Sequence, residues 1–278
     1  MNHSDDQRLQ LSVLLPVYQG DKAEWLHQSL LSIENQTWKA SEIIVVQDGP
    51  VSAELSDELI YWKKRIPELK VVELKENQGI PAALNAGIQA CSQPWIARMD
   101  ADDIAMPNRF EIQWSYLRSH PDVVILGSWI DEYDETMSMR YATRKVPEHH
   151  RNILKFAHWR SPFNHQTVIY RREAVCAVGG YPPEKVMGED YVLWTRLLHS
   201  GYISANIQCA LVNVRAGKGL IARRKGLKYL LLEYKSMRMI YQMGFFTWYQ
   251  YGMQLIIRTI VRLMPTRGVQ KVYSWLRK

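Results

Sequence analysis

Asp100, Asp102 and Asp103 place three carboxylates within four residues, directly after the apolar run Pro94-Trp95-Ile96-Ala97-Arg98-Met99. Carboxylates this close repel one another unless a cation stands among them. Hard divalent cations such as magnesium and manganese take oxygen ligands from one or two carboxylates and from substrate phosphates. The chemistry open to such a cluster is therefore the handling of a metal-bound phosphate. The same triplet also suits a solvated acidic turn capping a helix that opens near Pro107, with Asp103 or Asn108 as the cap. A second acidic pair, Glu189-Asp190, follows Gly188 and opens an amphipathic run through Val192, Leu193, Leu197 and Leu198 that ends at Gly201. Two acids in a first helical turn suit the helix dipole whatever chemistry they also do.

The elements that must position these groups alternate. Leu11 to Leu15 is a short apolar strand ended by Pro16 and opening into Val17-Tyr18-Gln19-Gly20. A helical pattern follows through Trp25, Leu26, Leu30 and Ile33, and then the strand Glu42 to Val46 runs into Gln47-Asp48-Gly49-Pro50. The cycle repeats with a helix through Leu55, Leu59 and Trp62, a strand Lys70 to Leu74, the loop Asn77-Gln78-Gly79, a helix Pro81 to Ala90 and the strand before Asp100. Alternation with short connections predicts a Rossmann-like α/β domain, a mostly parallel central sheet flanked by helices, and ligands in such sheets sit at the carboxyl ends of the strands. Pro16, Tyr18, Asp48, Asn77, Gly79 and Asp100 all fall at those ends. Beyond the acidic triplet the pattern predicts a helix from Pro107 to about His120, a strand Val123 to Leu126 closed by Gly127, an irregular charged segment Asp131 to Arg144, and a strand Thr167 to Tyr170.

At 278 residues and 47% hydrophobic the chain can bury one large core. Its three cysteines, Cys91, Cys176 and Cys209, are far apart and unpaired in pattern, which argues against a disulfide framework or a structural zinc site. The polar first ten residues lack the apolar segment of a signal peptide, and a cytoplasmic location is the expectation. The net charge of +7 is uneven: from Arg215 onward stand fourteen Lys and Arg against one acid, Glu233, while the preceding body is slightly acidic. A basic tail of this kind implies a polyanionic surface, either nucleic acid or anionic lipid. Neither a Gly-x-Gly-x-x-Gly fingerprint nor a Walker-type loop follows the first strand, so two common nucleotide sites lose their main support.

Taken in order, Leu15-Pro16-Val17-Tyr18, Gln47-Asp48-Gly49, Asn77-Gln78-Gly79 through Gly87, Met99-Asp100-Ala101-Asp102-Asp103, Gly179-Gly180-Tyr181 and Gly188-Glu189-Asp190-Tyr191 resemble the inverting nucleotide-sugar glycosyltransferases of family 2, with their A-type fold. The resemblance spans roughly residues 11 to 215 and is closest to enterobacterial O-antigen, capsule and amylovoran-pathway members. One departure is Gln47-Asp48-Gly49-Pro50, where many members carry two aspartates and a serine. The resemblance implies that Pro16 and Tyr18 border a uracil and that Asp48 accepts its ring N–H. It further implies that Asn77 and Gly79 lie near the nucleoside, that Asp100 holds the ribose, and that Asp102 binds a divalent metal, manganese or magnesium, bridging the diphosphate. Asp190 is implied as the base that takes the acceptor hydroxyl's proton, with Glu189 orienting the acceptor. Arg215 falls where related enzymes place a basic residue near the pyrophosphate, although a solvated tail charge fits the same position. His165, after a Pro-Phe-Asn turn, suits a diphosphate or acceptor contact or a hydrogen-bonded structural histidine. Trp129, Trp159 and Trp194 suit sugar platforms or core.

The implied reaction moves one sugar, glucose or galactose, from a UDP-sugar to a polyprenyl-diphosphate-linked saccharide in bacterial surface polysaccharide assembly. The chain divides into a polar extension over 1–10, the transferase domain over 11–215 and a basic amphipathic helical tail over 216–278. In that tail Phe245, Trp248, Tyr249, Leu255, Ile256 and Leu263 recur at helical spacing, but Arg258 and Arg262 interrupt the run. An interfacial helix at the inner face of the cell membrane reads better than a spanning one; a helix pair packing on the domain is the plain alternative. Two rivals compete. A nucleic-acid-binding module would use the tail but leaves the acidic loops unexplained. A sugar nucleotidyltransferase would show a Gly-rich first loop followed by Arg, which Leu15 to Gly20 lacks. The expected partners are therefore a UDP-sugar, a lipid-linked acceptor and an anionic membrane surface, and no nucleic acid.

Overall fold

The computed structural model of the chain describes residues 8–216 and 226–263. Four parallel strands carry the first half: β1 (Leu9–Tyr18), β2 (Ala40–Asp48), β3 (Leu69–Leu74) and β4 (Trp95–Arg98), in the order β3-β2-β1-β4. Each central strand is apolar on both faces because helices cover both. On one side α1 (Ala23–Glu34), α2 (Ala53–Arg65) and α4 (Arg109–Ser119) contribute Leu26, Leu30, Leu59, Trp62 and Phe110 to the core. On the other, α3 (Ile80–Ala90) packs Leu84 and Ile88 against Leu14, Ile44 and Val46. Register then decides where the loops meet: Tyr18 stands beside Asp48, Asp48 beside Leu74, and Leu14 beside Arg98, so the expected loop residues do share one rim.

The second half departs from a simple parallel sheet. A two-residue strand β5 (Ile104–Ala105) follows the acidic triplet, and β6 (Val123–Tyr133) runs straight through Gly127, where the sequence pattern ended it. The segment expected to be irregular is the far half of β6 hairpinned with β7 (Arg140–Arg144). After α5 (His150–Ala157), the stretch expected as a strand from Thr167 begins as a 3-10 turn, His165–Thr167, and reaches β8 (Ile169–Arg171) two residues later. Two helices follow, α6 (Arg172–Ala177) and α7 (Glu189–His199). A long strand that the pattern did not foresee, β9 (Ile203–Arg215), runs parallel to β6 and antiparallel to β5. The finished sheet is mixed, with order β3-β2-β1-β4-β8-β6-β9-β5, and β8 enters antiparallel between β4 and β6.

Two further helices follow: α8 (Leu227–Gln242) packs beside α7, and α9 (Trp248–Leu263) packs on α8. Met237, Ile240, Phe245 and Phe246 are buried in the same core layer as α3 and α7. The cations Arg258 and Arg262 turn inward onto the buried Glu233, at 3.0 and 2.7 Å. Those two charges are therefore withdrawn from the polyanion-binding surface that a nucleic-acid reading would use. The basic run Arg223-Arg224-Lys225 and the last fifteen residues lie outside the described residues. Among the described residues no helix is long and apolar enough to cross a membrane.

Candidate active site

Two carboxylate environments at opposite ends of the strands frame the site. Glu42, near the amino end of β2, is buried, yet its oxygens accept from Ser12 Oγ at 2.6 Å, the Ser92 N–H at 2.8 Å and Lys70 Nζ at 2.9 Å. Burial pushes its carboxyl up, but these bonds outweigh burial and hold it below the ordinary value. The carboxylates at the other end are poised the opposite way. Asp100, Asp102 and Asp103 bring ligand atoms within 4.8 Å of one another. Burial and the neighbouring Asp100 push Asp102 up to about 6, and Asp103, fully buried, is raised well above its usual range. Asp103 Oδ2 is buried and finds no hydrogen-bond partner among the described residues. A crowded, desolvated acidic group with an orphan oxygen fits a divalent cation, which supplies the missing positive charge.

Neither Asp103 nor Asn108 caps α4: Asp103 points inward, and Asn108, which precedes the helix, makes no side-chain cap bond. Asp103 Oδ1 instead accepts the Arg215 N–H at 3.0 Å, because β5 pairs with the end of β9. Arg215 is likewise no solvated tail charge. Its guanidinium is buried, donating to the Asp102 carbonyl at 2.7 Å, to the Glu135 carbonyl at 2.5 Å and to Gln28 Oε1, with the Trp25 ring beneath it at 5.1 Å. Through these three bonds Arg215 braces the acidic loop.

Asp48 does its work through the backbone. Its two oxygens accept the Gln78 and Gly79 N–H groups at 2.8 and 2.9 Å, fixing the loop between Asn77 and α3. Pro16 lies half-buried at the end of β1 and Tyr18 is exposed beyond it. Asn77 is exposed above the rim, and Gly79 opens α3 with a positive φ of 90°. These residues are brought together as expected.

Asp21 joins them without having been singled out. Its Oδ2 accepts the Tyr18 N–H at 2.9 Å, and burial, with Asp102 and Asp100 adding to it, pushes its carboxyl up to about 7. The available signal was its place in the loop that leaves the first strand. Arg98 is the second omission. It is buried at the end of β4, ion-paired to Asp100 at 2.5 Å, and close enough to Glu189 and Tyr181 to influence both.

Glu189 and Asp190 open α7 after Gly188, whose φ of 84° starts the helix without a side-chain cap. Asp190 Oδ2 accepts from Ser161 Oγ at 3.2 Å, so it is not a capping residue. Burial, and then the Asp190 charge, pushes Glu189 up to about 7. His165 lies within reach of the Arg98 charge. Its Nε2 pairs with the Tyr181 hydroxyl at 2.7 Å, its ring packs edge-on to Trp194, and burial with the Arg98 charge holds it neutral, well below its usual range. That pairing is the hydrogen-bonded arrangement of a structural histidine, and Trp194 is core. Trp129 donates to the Val146 carbonyl under Lys145, which leaves Trp159 as the exposed one of the three tryptophans. The turn Gly180-Tyr181 is held by Asn85, whose Oδ1 accepts the Tyr181 N–H and whose Nδ2 donates to the Tyr181 carbonyl, both at 2.9 Å.

This geometry can be set beside known proteins. The chain is 40% identical over 270 residues to the amylovoran biosynthesis glycosyltransferase AmsE of Erwinia amylovora, covering 96% of this chain and 99% of the relative. It is 35% identical over 269 residues to a UDP-Gal:alpha-D-GlcNAc-diphosphoundecaprenol beta-1,3-galactosyltransferase of Escherichia coli, covering 97% of each. Its fold matches the mannosyltransferase PcManGT of Pyrobaculum calidifontis, solved with GDP-Man and Mn2+, at a TM-score of 0.65 and 18% identity, over 92% of this chain and 71% of that one. The profile of glycosyl transferase family 2 matches residues 12–178, and with relatives this similar over nearly their whole length the chain belongs to that family.

Proposed function

We propose that this enzyme transfers a single hexose, glucose or galactose, from a UDP-sugar to a lipid-diphosphate-linked saccharide with inversion at the anomeric carbon. The reaction would extend an O-antigen, capsule or exopolysaccharide unit at the inner face of the cell membrane. The observation that carries this reading is the pairing, on one rim, of a metal-type carboxylate cluster with a second acidic pair, Arg98 lying within electrostatic reach of both. The Escherichia coli relative supports the substrate classes, since its name gives a UDP-Gal donor, a diphosphoundecaprenol acceptor and a β-linked product.

In this reading Pro16, Tyr18, Asn77 and Gly79 surround the nucleoside, with Asp48 holding their loop and accepting the uracil N–H on a free lone pair. Asp100 takes the ribose. Asp102 and Asp103 would hold manganese or magnesium, with Asp21 close by; a cation there would act as a Lewis acid on the departing diphosphate. Asp190, oriented by Ser161, accepts the proton of the acceptor hydroxyl as its oxygen bonds to the anomeric carbon and the bond to the diphosphate breaks. A single displacement turns an α-linked donor into a β-linked product. Glu189 orients the acceptor. Arg215 positions the acidic loop, and His165 takes no part.

Calorimetry with UDP and manganese, beside a transfer assay, separates the roles. Asp102→Ala is expected to abolish metal-dependent UDP binding, and Asp190→Asn to keep that binding while losing roughly 10²-fold or more in transfer. Transfer by Asp190→Asn at the wild-type rate would remove that residue as the base.

A further inference from the structure

Helix α9 keeps apolar side chains on both sides: Tyr251 and Leu255 pack on the core, yet a second apolar stripe faces out. A surface helix ordinarily turns its apolar stripe to the core and its charges to water. Here the stripe at positions 254, 258 and 262 faces inward although it is polar: Gln254 is buried and donates to the His158 carbonyl at 2.7 Å, while Arg258 and Arg262 close on Glu233. The opposite stripe is apolar and faces out, with Tyr249 56%, Ile256 55%, Ile260 55% and Leu263 67% exposed. Exposed apolar side chains aligned along a helix, rather than scattered singly, mark a surface that meets another apolar phase.

We infer that this outward face of α9 is the surface on which the enzyme sits in an anionic bilayer, lying along the interface rather than crossing it. Charge selects lipid as the occupant. The fifteen residues that follow Leu263 carry Arg267, Lys271, Arg277 and Lys278 and no acidic residue, together with Tyr273 and Trp275. Lipid phosphate beside an apolar layer matches both the cations and the apolar stripe. Resting on the acceptor proposed above, the same helix pair ties the bilayer to the base. Ser236 Oγ on α8 donates to the Met187 carbonyl at 2.6 Å, immediately before Gly188-Glu189-Asp190. Gln254 holds His158, three residues before the Ser161 that bonds Asp190. The two segments that hold the base are thus anchored to α8 and α9, the helix pair whose outer member meets the lipid, where a lipid-diphosphate acceptor would arrive.

The test is flotation of the full chain with vesicles of phosphatidylethanolamine and phosphatidylglycerol. The triple variant Ile256→Gln/Ile260→Gln/Leu263→Gln should lose vesicle binding roughly tenfold or more, with unchanged thermal stability and unchanged UDP–manganese affinity. The wild type should release at high salt or from purely zwitterionic vesicles. Undiminished flotation of the variant would overturn the inference. So would a wild-type dimer that the variant converts to monomer, since a second copy would then cover the face, or a loss of thermal stability without loss of flotation, since the chain's own last residues would then cover it. Transfer to a short-chain, water-soluble diphosphate acceptor is read in parallel: floating protein inactive on every acceptor defeats the catalytic reading and leaves the docking face standing.

Discussion

Asp102 and Glu42 differ in company, and the difference can be measured: hydrogen bonds hold Glu42 down, while burial and neighbouring carboxylates push Asp102 up. Asp21, Asp102 and Glu189 all have carboxyls raised, to about 7, about 6 and about 7, from ordinary values near 4. The folded protein therefore holds protons that the unfolded chain has released, and without metal these groups favour the fold at low pH and cease to as pH rises from about 4 through 7. The metal-free melting temperature should fall across that window. Asp102→Asn should raise it by a few degrees at pH 8, since roughly 1 kcal/mol moves a domain of this size by about 2–4 °C, and should remove the rise that manganese gives the wild type. Calorimetric melts in chelator and in manganese decide this; a variant no more stable than the wild type in chelator would mean that the carboxylates do not repel. Arg215 acts on the same loop. Arg215→Met is expected to weaken manganese-dependent UDP binding about 10- to 100-fold, as loss of outer-shell support does, without rescue by Lys, which cannot make its several contacts at once. Unchanged affinity would contradict the bracing role. The Asp triplet and Glu189-Asp190 were legible because acidic runs after strand ends are local patterns. Arg215's burial was not, because it depends on β5 and β9 pairing across more than a hundred residues.

At the level of elements, one glycine shapes the rim. Gly49 has a φ of 81°, and a Cβ there would stand 2.5 Å from the Asn77 backbone nitrogen. Gly49→Ala should therefore displace the 77–79 loop from Asp48 and weaken UDP binding, by about tenfold for a cost near 1–2 kcal/mol, while Asp190's pairing with Ser161 is untouched. Titration of the variant with UDP and manganese checks it; wild-type affinity would mean that the loop does not contact the nucleoside. The strands that feed this rim were readable from apolar runs ended by Pro16, Gly49 and Asp100. The second half was not. Gly127 reads locally as a stop, yet it lies within β6, where β9 pairs alongside and Phe163 and Asn206 crowd the space a side chain would need. The irregular charged segment became the β6–β7 hairpin because its partner strand, not its own pattern, supplies the hydrogen bonds.

For the whole molecule, the sheet gathers distant loops to one rim, and the added helices fix which way that rim faces. The tail proved to be of two kinds. α8 and the turn after it are packed into the core through Met237, Ile240, Phe245 and Phe246, as a helix pair on a domain would be, while the outer face of α9 is apolar and exposed. Charge counting alone could not separate these, because Arg258 and Arg262 count as tail cations and yet are spent on Glu233. In the proposed reaction the acidic rim grips a divalent cation and, through it, the departing diphosphate. Crystals grown with UDP and manganese test it most directly by anomalous scattering. One strong peak is expected among Asp100, Asp102 and Asp103, beside the diphosphate. Well-ordered UDP on this rim with no peak there, the three aspartates turned outward, would contradict it.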